Sequence, residues 1–152
     1  MNDLEFILNF EENKTKGIWL SGIEGEGEFI RYWKNGNLRE HSFWKNGNKH
    51  GEYKDYRENG QLWEHSFYKN GKLNGEFKMY HNNGQLGLYC FYKNDELHGE
   101  YICYRENNYP WKHSFYKNGK KHGECKCYDH NCQLWKHSLY ENGFKIKDLL
   151  EV

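Results

Sequence analysis

Five copies of one 24-residue unit run through this chain without a gap, beginning at Gly27, Gly51, Gly75, Gly99 and Gly123. So short a period constrains the fold more than any single residue does. One copy cannot bury a core by itself and must be stabilised by stacking on its neighbours. Function in such an array is expected in a surface repeated along the chain, not in a single pocket.

Each copy carries two turn signals. Asn-Gly stands at 35–36, 59–60 and 83–84, and again at 46–47, 70–71, 118–119 and 142–143. Between the turns lie short runs rich in aromatics, such as GEYKDY and WEHSFY, of strand length. Turns alternate 11 and 13 residues apart, the rhythm of a meander, so five copies yield ten strands. The expected fold is all-β: an elongated, single-layer, twisted antiparallel β-meander of five 24-residue double-strand repeats filling residues 27–146. Open sheet edges template aggregation, so both ends are expected to be covered. Residues 1–26 would supply a cap strand, LEFILNF at 4–10, and a degenerate half-repeat at 18–26. Residues 147–152, with Leu149, Leu150 and Val152, would fold over the last hairpin.

Loop length decides which side chains share a face. A two-residue Asn-Gly turn pairs Tyr56 with Trp63 and Lys54 with His65. A three-residue loop, Glu58-Asn59-Gly60, pairs Asp55 with Trp63 and Tyr53 with His65. The second register sorts the chemistry more cleanly and is preferred, because a slip by one residue moves every side chain to the opposite face. It gathers Gly51, Tyr53, Asp55, Trp63, His65 and Phe67 on one face and Glu52, Lys54, Tyr56, Glu64, Ser66 and Tyr68 on the other. It also sets each leading glycine against the preceding histidine, Gly51 against His41, leaving room for rings to cross the backbone.

Composition removes several classes. Mean hydropathy is −1.19, yet aromatic residues make up 18% of the chain against 36% for all hydrophobic residues, which opposes disorder. The 22 basic and 22 acidic residues balance, so no overall field attracts nucleic acid, and nucleic acid is disfavoured as a partner. No apolar run approaches the roughly 20 residues of a transmembrane helix, so no transmembrane segment is expected. The start, MNDLEFILNFEENK, lacks a basic leader, and five cysteines without even spacing suit a reducing compartment. Together these predict a cytoplasmic protein.

The segments YKNGKLNGEF at 68–77 and YKNGKKHGEC at 116–125 resemble MORN repeats, specifically the degenerate YxNGKxxGE variety. That variety occurs in bacterial proteins labelled as antitoxins and in some giant-virus proteins. The resemblance covers residues 27–146. It implies a single-layer antiparallel sheet of half-pipe shape that acts in scaffolding, protein binding, dimerisation or phospholipid contact, and it brings no catalytic residue. Departures cluster in the later copies: Gly87, Leu88 and Tyr89 replace a Trp-Glu/Lys-His run, Asp95 and Cys132 replace turn glycines, and Pro110 follows an Asn107-Asn108 turn.

Four histidines, His41, His65, His113 and His137, form one column two strands apart. At roughly 9.6 Å spacing they cannot share one metal ion, whose ligands lie about 2 Å from it. They are read as half-buried packing residues, with a pH response as the alternative. Cys125 and Cys127 share a face beside Asp129, His130 and Cys132, but no second pair completes a four-ligand set, so they are read as reduced thiols in aromatic positions. No metal site and no cofactor are predicted. The ladder Glu28, Glu52, Glu76, Glu100 and Glu124 offers the same carboxylate in every copy, which favours ion pairs with Lys54, Lys78 and Lys126 over catalysis.

Two surfaces remain as binding candidates. The aromatic face comprises Tyr53, Trp63, His65, Phe67, Trp111, His113, Phe115, Trp135 and His137; each ring can bury about 150–250 Å², and one layer leaves much of it uncovered. The second is a lysine rim on the second row of turns, with Lys69, Lys72, Lys117, Lys120 and Lys121 as candidates for an anionic partner and Lys45, Lys49, Lys93 and Lys145 alongside. The expected function is a non-enzymatic scaffold for protein–protein interaction or self-association. The alternatives are an antitoxin- or immunity-type neutralising partner and a phospholipid-binding module.

Overall fold

The computed structural model describes residues 15–150. The expected strand at 4–10 and Val152 lie outside the described residues. The protein is all-β, an antiparallel meander whose strands follow chain order: β1 (Ile18–Trp19), β2 (Gly27–Tyr32), β3 (Leu38–Lys45), β4 (Asn48–Tyr56), β5 (Leu62–Lys69), β6 (Lys72–Tyr80), β7 (Leu86–Lys93), β8 (Glu96–Tyr104), β9 (Pro110–Lys117), β10 (Lys120–Tyr128), β11 (Leu134–Glu141) and β12 (Phe144–Asp148). β2 to β11 are the ten strands the repeat predicts. The chain divides into two compact units, up to Lys72 and from Leu73 onward.

In the first unit the turn at the end of β4 has the expected three-residue loop. Gly60 N–H donates to Arg57 O at 2.9 Å, and Arg57 N–H to Gln61 O at 2.8 Å. The pairing beyond it differs from expectation. Tyr56 faces Leu62, but Asp55 faces Glu64, so Trp63 is an extra residue bulged out of β5. Arg39 is bulged in the same way between the Tyr32–Leu38 and Arg31–Glu40 pairs. This shift by one corrects the predicted faces. Lys54 faces His65 and Tyr53 faces Ser66, so Tyr53 and Asp55 share a side with Glu64 and Ser66. His65 and Phe67 lie on the other side with Glu52 and Lys54. The gain is steric and electrostatic: the Tyr53 ring meets Ser66, the Tyr68 ring meets Gly51, and Glu52 reaches both Lys54 and His65.

The leading glycine also has a different neighbour. Between the pairs Ser42–Tyr53 and Trp44–Lys49, the residues His50, Gly51 and Glu52 stand opposite Phe43 alone. Gly51, not facing His41, has φ +112°, and a Cβ there would lie 3.3 Å from the Phe43 Cβ. A left-handed backbone and a close ring together demand glycine.

The second unit repeats this plan. Gly87, Trp111 and Trp135 are its bulged residues, in the pairs Met79–Leu88, Cys103–Lys112 and Cys127–Lys136. At Gly87 a side chain would collide with the His81 ring, 2.9 Å from Nε2, so His81 fills the space left open there. Asp95, Asn108 and Cys132 take the positive φ of missing turn glycines, at 69°, 65° and 62°. Pro110 begins β9, where its absent N–H is tolerated. Beyond β12, Leu149 N–H donates to His137 O at 2.7 Å, so this end runs on along β11 instead of folding over the hairpin.

Among the described residues the completely buried side chains are small, while Glu40 is 6% exposed. The fully buried side chains are Ser42, Ser66, Cys90, Ser114 and Ser138, one in each odd strand from β3 to β11. Half-buried rings roof this row in pairs, Tyr53–Tyr68 at 5.7 Å, Phe77–Tyr92 at 5.6 Å and Tyr101–Tyr116 at 5.5 Å between centroids. Turns are tied to turns one copy away. Asn35 and Asn83 side chains donate to Glu58 O and Glu106 O, each at 2.8 Å. On the opposite rim, Gly71 N–H donates to Lys49 O and Gly119 N–H to Leu97 O, each at 2.9 Å.

Candidate binding surfaces

One side of the sheet carries a repeated Glu–His–Phe arrangement. Imidazole Nε2 and carboxylate meet at 2.7 Å in Glu28–His41, 2.8 Å in Glu52–His65 and 2.9 Å in Glu100–His113. In Glu124–His137 the separation is 3.4 Å, and in the divergent third copy Tyr89 Oη reaches Glu76 at 3.4 Å. His65 and Phe67 rings lie 5.2 Å apart, and His113 and Phe115 rings 5.0 Å. Lysines complete the ion pairs, Lys54–Glu52 at 2.8 Å, Lys78–Glu76 at 2.6 Å and Lys126–Glu124 at 2.5 Å. The hydrogen bond from Lys54, with His65 contributing less, holds the Glu52 carboxyl below its ordinary range. The carboxylate ladder is thus partnered in every copy, by lysine, imidazole or hydroxyl, and the histidines belong to it.

The other side is more enclosed and changes along the chain. In the first unit Lys49 lies over the Tyr53 ring at 3.6 Å, with Glu40 Oε1 4.0 Å from its ammonium. Burial lowers the Lys49 pKa against the pull of Glu40, and burial raises those of Asp55 and Glu64. Lys49 is therefore withdrawn from the lysine rim, and Lys121 packs over Tyr140 at 4.7 Å in the same manner. Lys69, Lys72, Lys117 and Lys120 are exposed as expected. In the second unit Cys90, Cys103 and Cys125 are buried on this side, and Cys127 is half-buried. Burial pushes the Cys90 thiol up to about 12. All five cysteines are free, and among the described residues no three His, Cys, Asp or Glu side chains converge as a metal site.

The bulged column is a third surface, set apart from the histidines it was expected to join. Trp63, Trp111 and Trp135 are 37%, 40% and 59% exposed. Beside Trp63 lies a cavity of about 330 Å³ walled by Trp33, Arg39, Asp55, Tyr56, Arg57, Glu58 and Trp63. Guanidinium and indole stack across each turn, Arg39 on Trp33 at 4.4 Å and Arg57 on Trp63 at 5.6 Å. The two copies exchange the places of arginine and tryptophan yet keep the stack. Sequence reasoning missed Trp33, Arg39 and Arg57; the Trp33/Arg39 and Arg57/Trp63 reversal at equal spacing was the available signal.

Residues 25–46, 49–70 and 73–94 match a family model described as a MORN repeat variant. Each matched segment spans one even strand, its bulged turn and the following odd strand. No curated protein matches the chain.

Proposed function

The chain is a MORN-type repeat protein, and on that premise we propose that it is a non-enzymatic scaffold whose repeated aromatic surface binds a partner protein. The observation that carries this reading is the exposure of Trp63, Trp111 and Trp135 at equivalent bulges; on the side of the carboxylate ladder, Phe91 and Phe115 are each 38% exposed as well. Exposed rings at recurring positions are the usual anchors of protein interfaces, where a few aromatic side chains supply most of the affinity. A singular active site would need a carboxylate or thiol set apart from its copies. Here every carboxylate of the ladder has a cation, imidazole or hydroxyl partner, and the buried thiol of Cys90 is held protonated.

A photo-crosslinking residue placed at position 135 tests the reading in cell extract. A discrete protein adduct that is absent when the same group sits at the exposed turn residue Glu106 supports it; unspecific labelling at both positions overturns it. The second reading, attachment to anionic phospholipid, is favoured by the exposed lysines Lys69, Lys72, Lys117 and Lys120. Flotation with phosphatidylserine vesicles that is lost on Lys→Ala change at those four positions would place lipid ahead of protein.

A further inference from the structure

We propose that Trp111 and Trp135 form a docking track for a proline-rich segment in the polyproline II conformation; this rests on the protein-binding reading above. The two indoles occupy equivalent bulges in consecutive copies, on β9 and β11, with β10 between them. Two strand spacings separate such positions by roughly 9.6 Å. A polyproline II helix rises about 3.1 Å per residue and repeats every three residues, or about 9.3 Å. Residues i and i+3 of such a segment therefore fall on the two rings in register. An extended β-strand, at about 3.3 Å per residue with alternating sides, brings the same face round only every second residue, about 6.6 Å, and misses the second ring.

The hydrogen-bonding state of the indoles agrees with this. Trp33 Nε1 donates to Tyr56 O and Trp44 Nε1 to Ser42 Oγ, each at 2.8 Å. Among the described residues neither Trp111 nor Trp135 has a partner for its N–H. Polyproline II has no internal hydrogen bonds, so its carbonyls are free to accept. Each indole can carry a pyrrolidine ring on its face and donate to a ligand carbonyl. Arrays of exposed rings also suit a second copy of the chain, but this sequence has one proline, Pro110, which lies within β9. It cannot supply two prolines at i and i+3, so the occupant is a different protein.

The test uses the full chain and a synthetic peptide with prolines at every third position, against an isomer of equal composition without i, i+3 prolines. The chain has six tryptophans, whose indole N–H resonances report separately, with Trp111 and Trp135 assigned from Trp→Phe variants. Saturable shifts at those two resonances, with Trp33 and Trp44 unmoved, are expected for the first peptide. Trp135→Ala should weaken binding about tenfold or more, and Trp135→Phe, which keeps a ring and removes the donor, about three- to tenfold. Unchanged far-UV circular dichroism establishes that both variants fold. Equal binding of the two peptides, or no saturation at millimolar peptide, overturns the track. So does binding that survives Trp135→Ala. A crosslinked protein adduct at position 135 combined with peptide failure sinks the polyproline assignment alone; loss of both sinks the scaffold reading with it.

Discussion

Glu52 and His65 stand 13 residues apart in the chain and meet at 2.8 Å, carboxylate to imidazole, across neighbouring strands. Three further copies place an acid and a histidine in the same relation, so the pair belongs to the repeat.

Acid should weaken the fold through this ladder. The Lys54 bond and the His65 contact keep Glu52 below its ordinary value of 4.5 in the folded chain. A depressed folded value gives stability that is complete above the unfolded pKa and is lost as pH falls through the folded one. The difference in urea midpoint between the parent and Glu52→Gln, in which the burial-raised Asp55 and Glu64 cancel, should therefore hold level from about pH 7 to about pH 5 and shrink below about pH 4. Glu52→Gln should lower the neutral midpoint and lose less of it in acid; an unaltered acid slope in the variant would refute the assignment.

Gly51→Ala should destabilise by about 1–3 kcal/mol, because φ +112° is strained for alanine and the new methyl meets Phe43. Gly47→Asn, at φ +71° with open space around it, should cost less than about 1 kcal/mol. Asn already holds the adjacent left-handed position, Asn46. Chemical denaturation of the two variants side by side decides the ranking.

Position 66 should accept only small side chains. Ser66 is fully buried beneath half-buried rings, and Cys90 fills the corresponding place one copy later. Ser66→Cys should stay within about 1 kcal/mol of the parent, while Ser66→Leu should lose about 1–3 kcal/mol through overpacking. Thermal melts of both variants check this.

Thiol labelling should be ordered by environment. Cys90 is fully buried, with its pKa pushed up to about 12, whereas Cys132 sits exposed on a turn. Iodoacetamide at about pH 8 should modify Cys132 within minutes and Cys90 only after unfolding. Peptide mapping of the labelled chain reads the order directly; early modification of Cys90 in folded protein would contradict its burial.

The repeat length, the turn residues and the ten inner strands were legible because each leaves a local mark: Asn-Gly where φ turns positive, alternating rings where a strand forms. The pairing of Tyr53 was not. Alternation is intact on both sides of Trp63, and a single bulged residue shifts one half against the other without disturbing either pattern. Charge could have revealed it, since the preferred register without a bulge sets Tyr53 opposite His65, whereas pairing Lys54 with His65 brings Glu52 to that imidazole. Lys49 was misplaced for a related reason. Its position next to a turn suggested solvent, but the strand twists its ammonium onto the Tyr53 ring. The candidate aromatic face was accordingly split three ways, with Tyr53 on one side, His65 and Phe67 on the other, and the tryptophans in the bulges between.

The hydrogen bonds from Asn35 to Glu58 O and from Gly71 to Lys49 O join equivalent points of adjacent copies. The same two ties recur in the second unit, from Asn83 to Glu106 O and from Gly119 to Leu97 O, so seams built this way present like donors to like acceptors. A gene recombining between any two copies at matching codons would splice ends that already fit, so descendants can lengthen or shorten in whole modules without inventing a new joint. A cut out of phase leaves each Asn one rung from its acceptor, and such lineages should be rare.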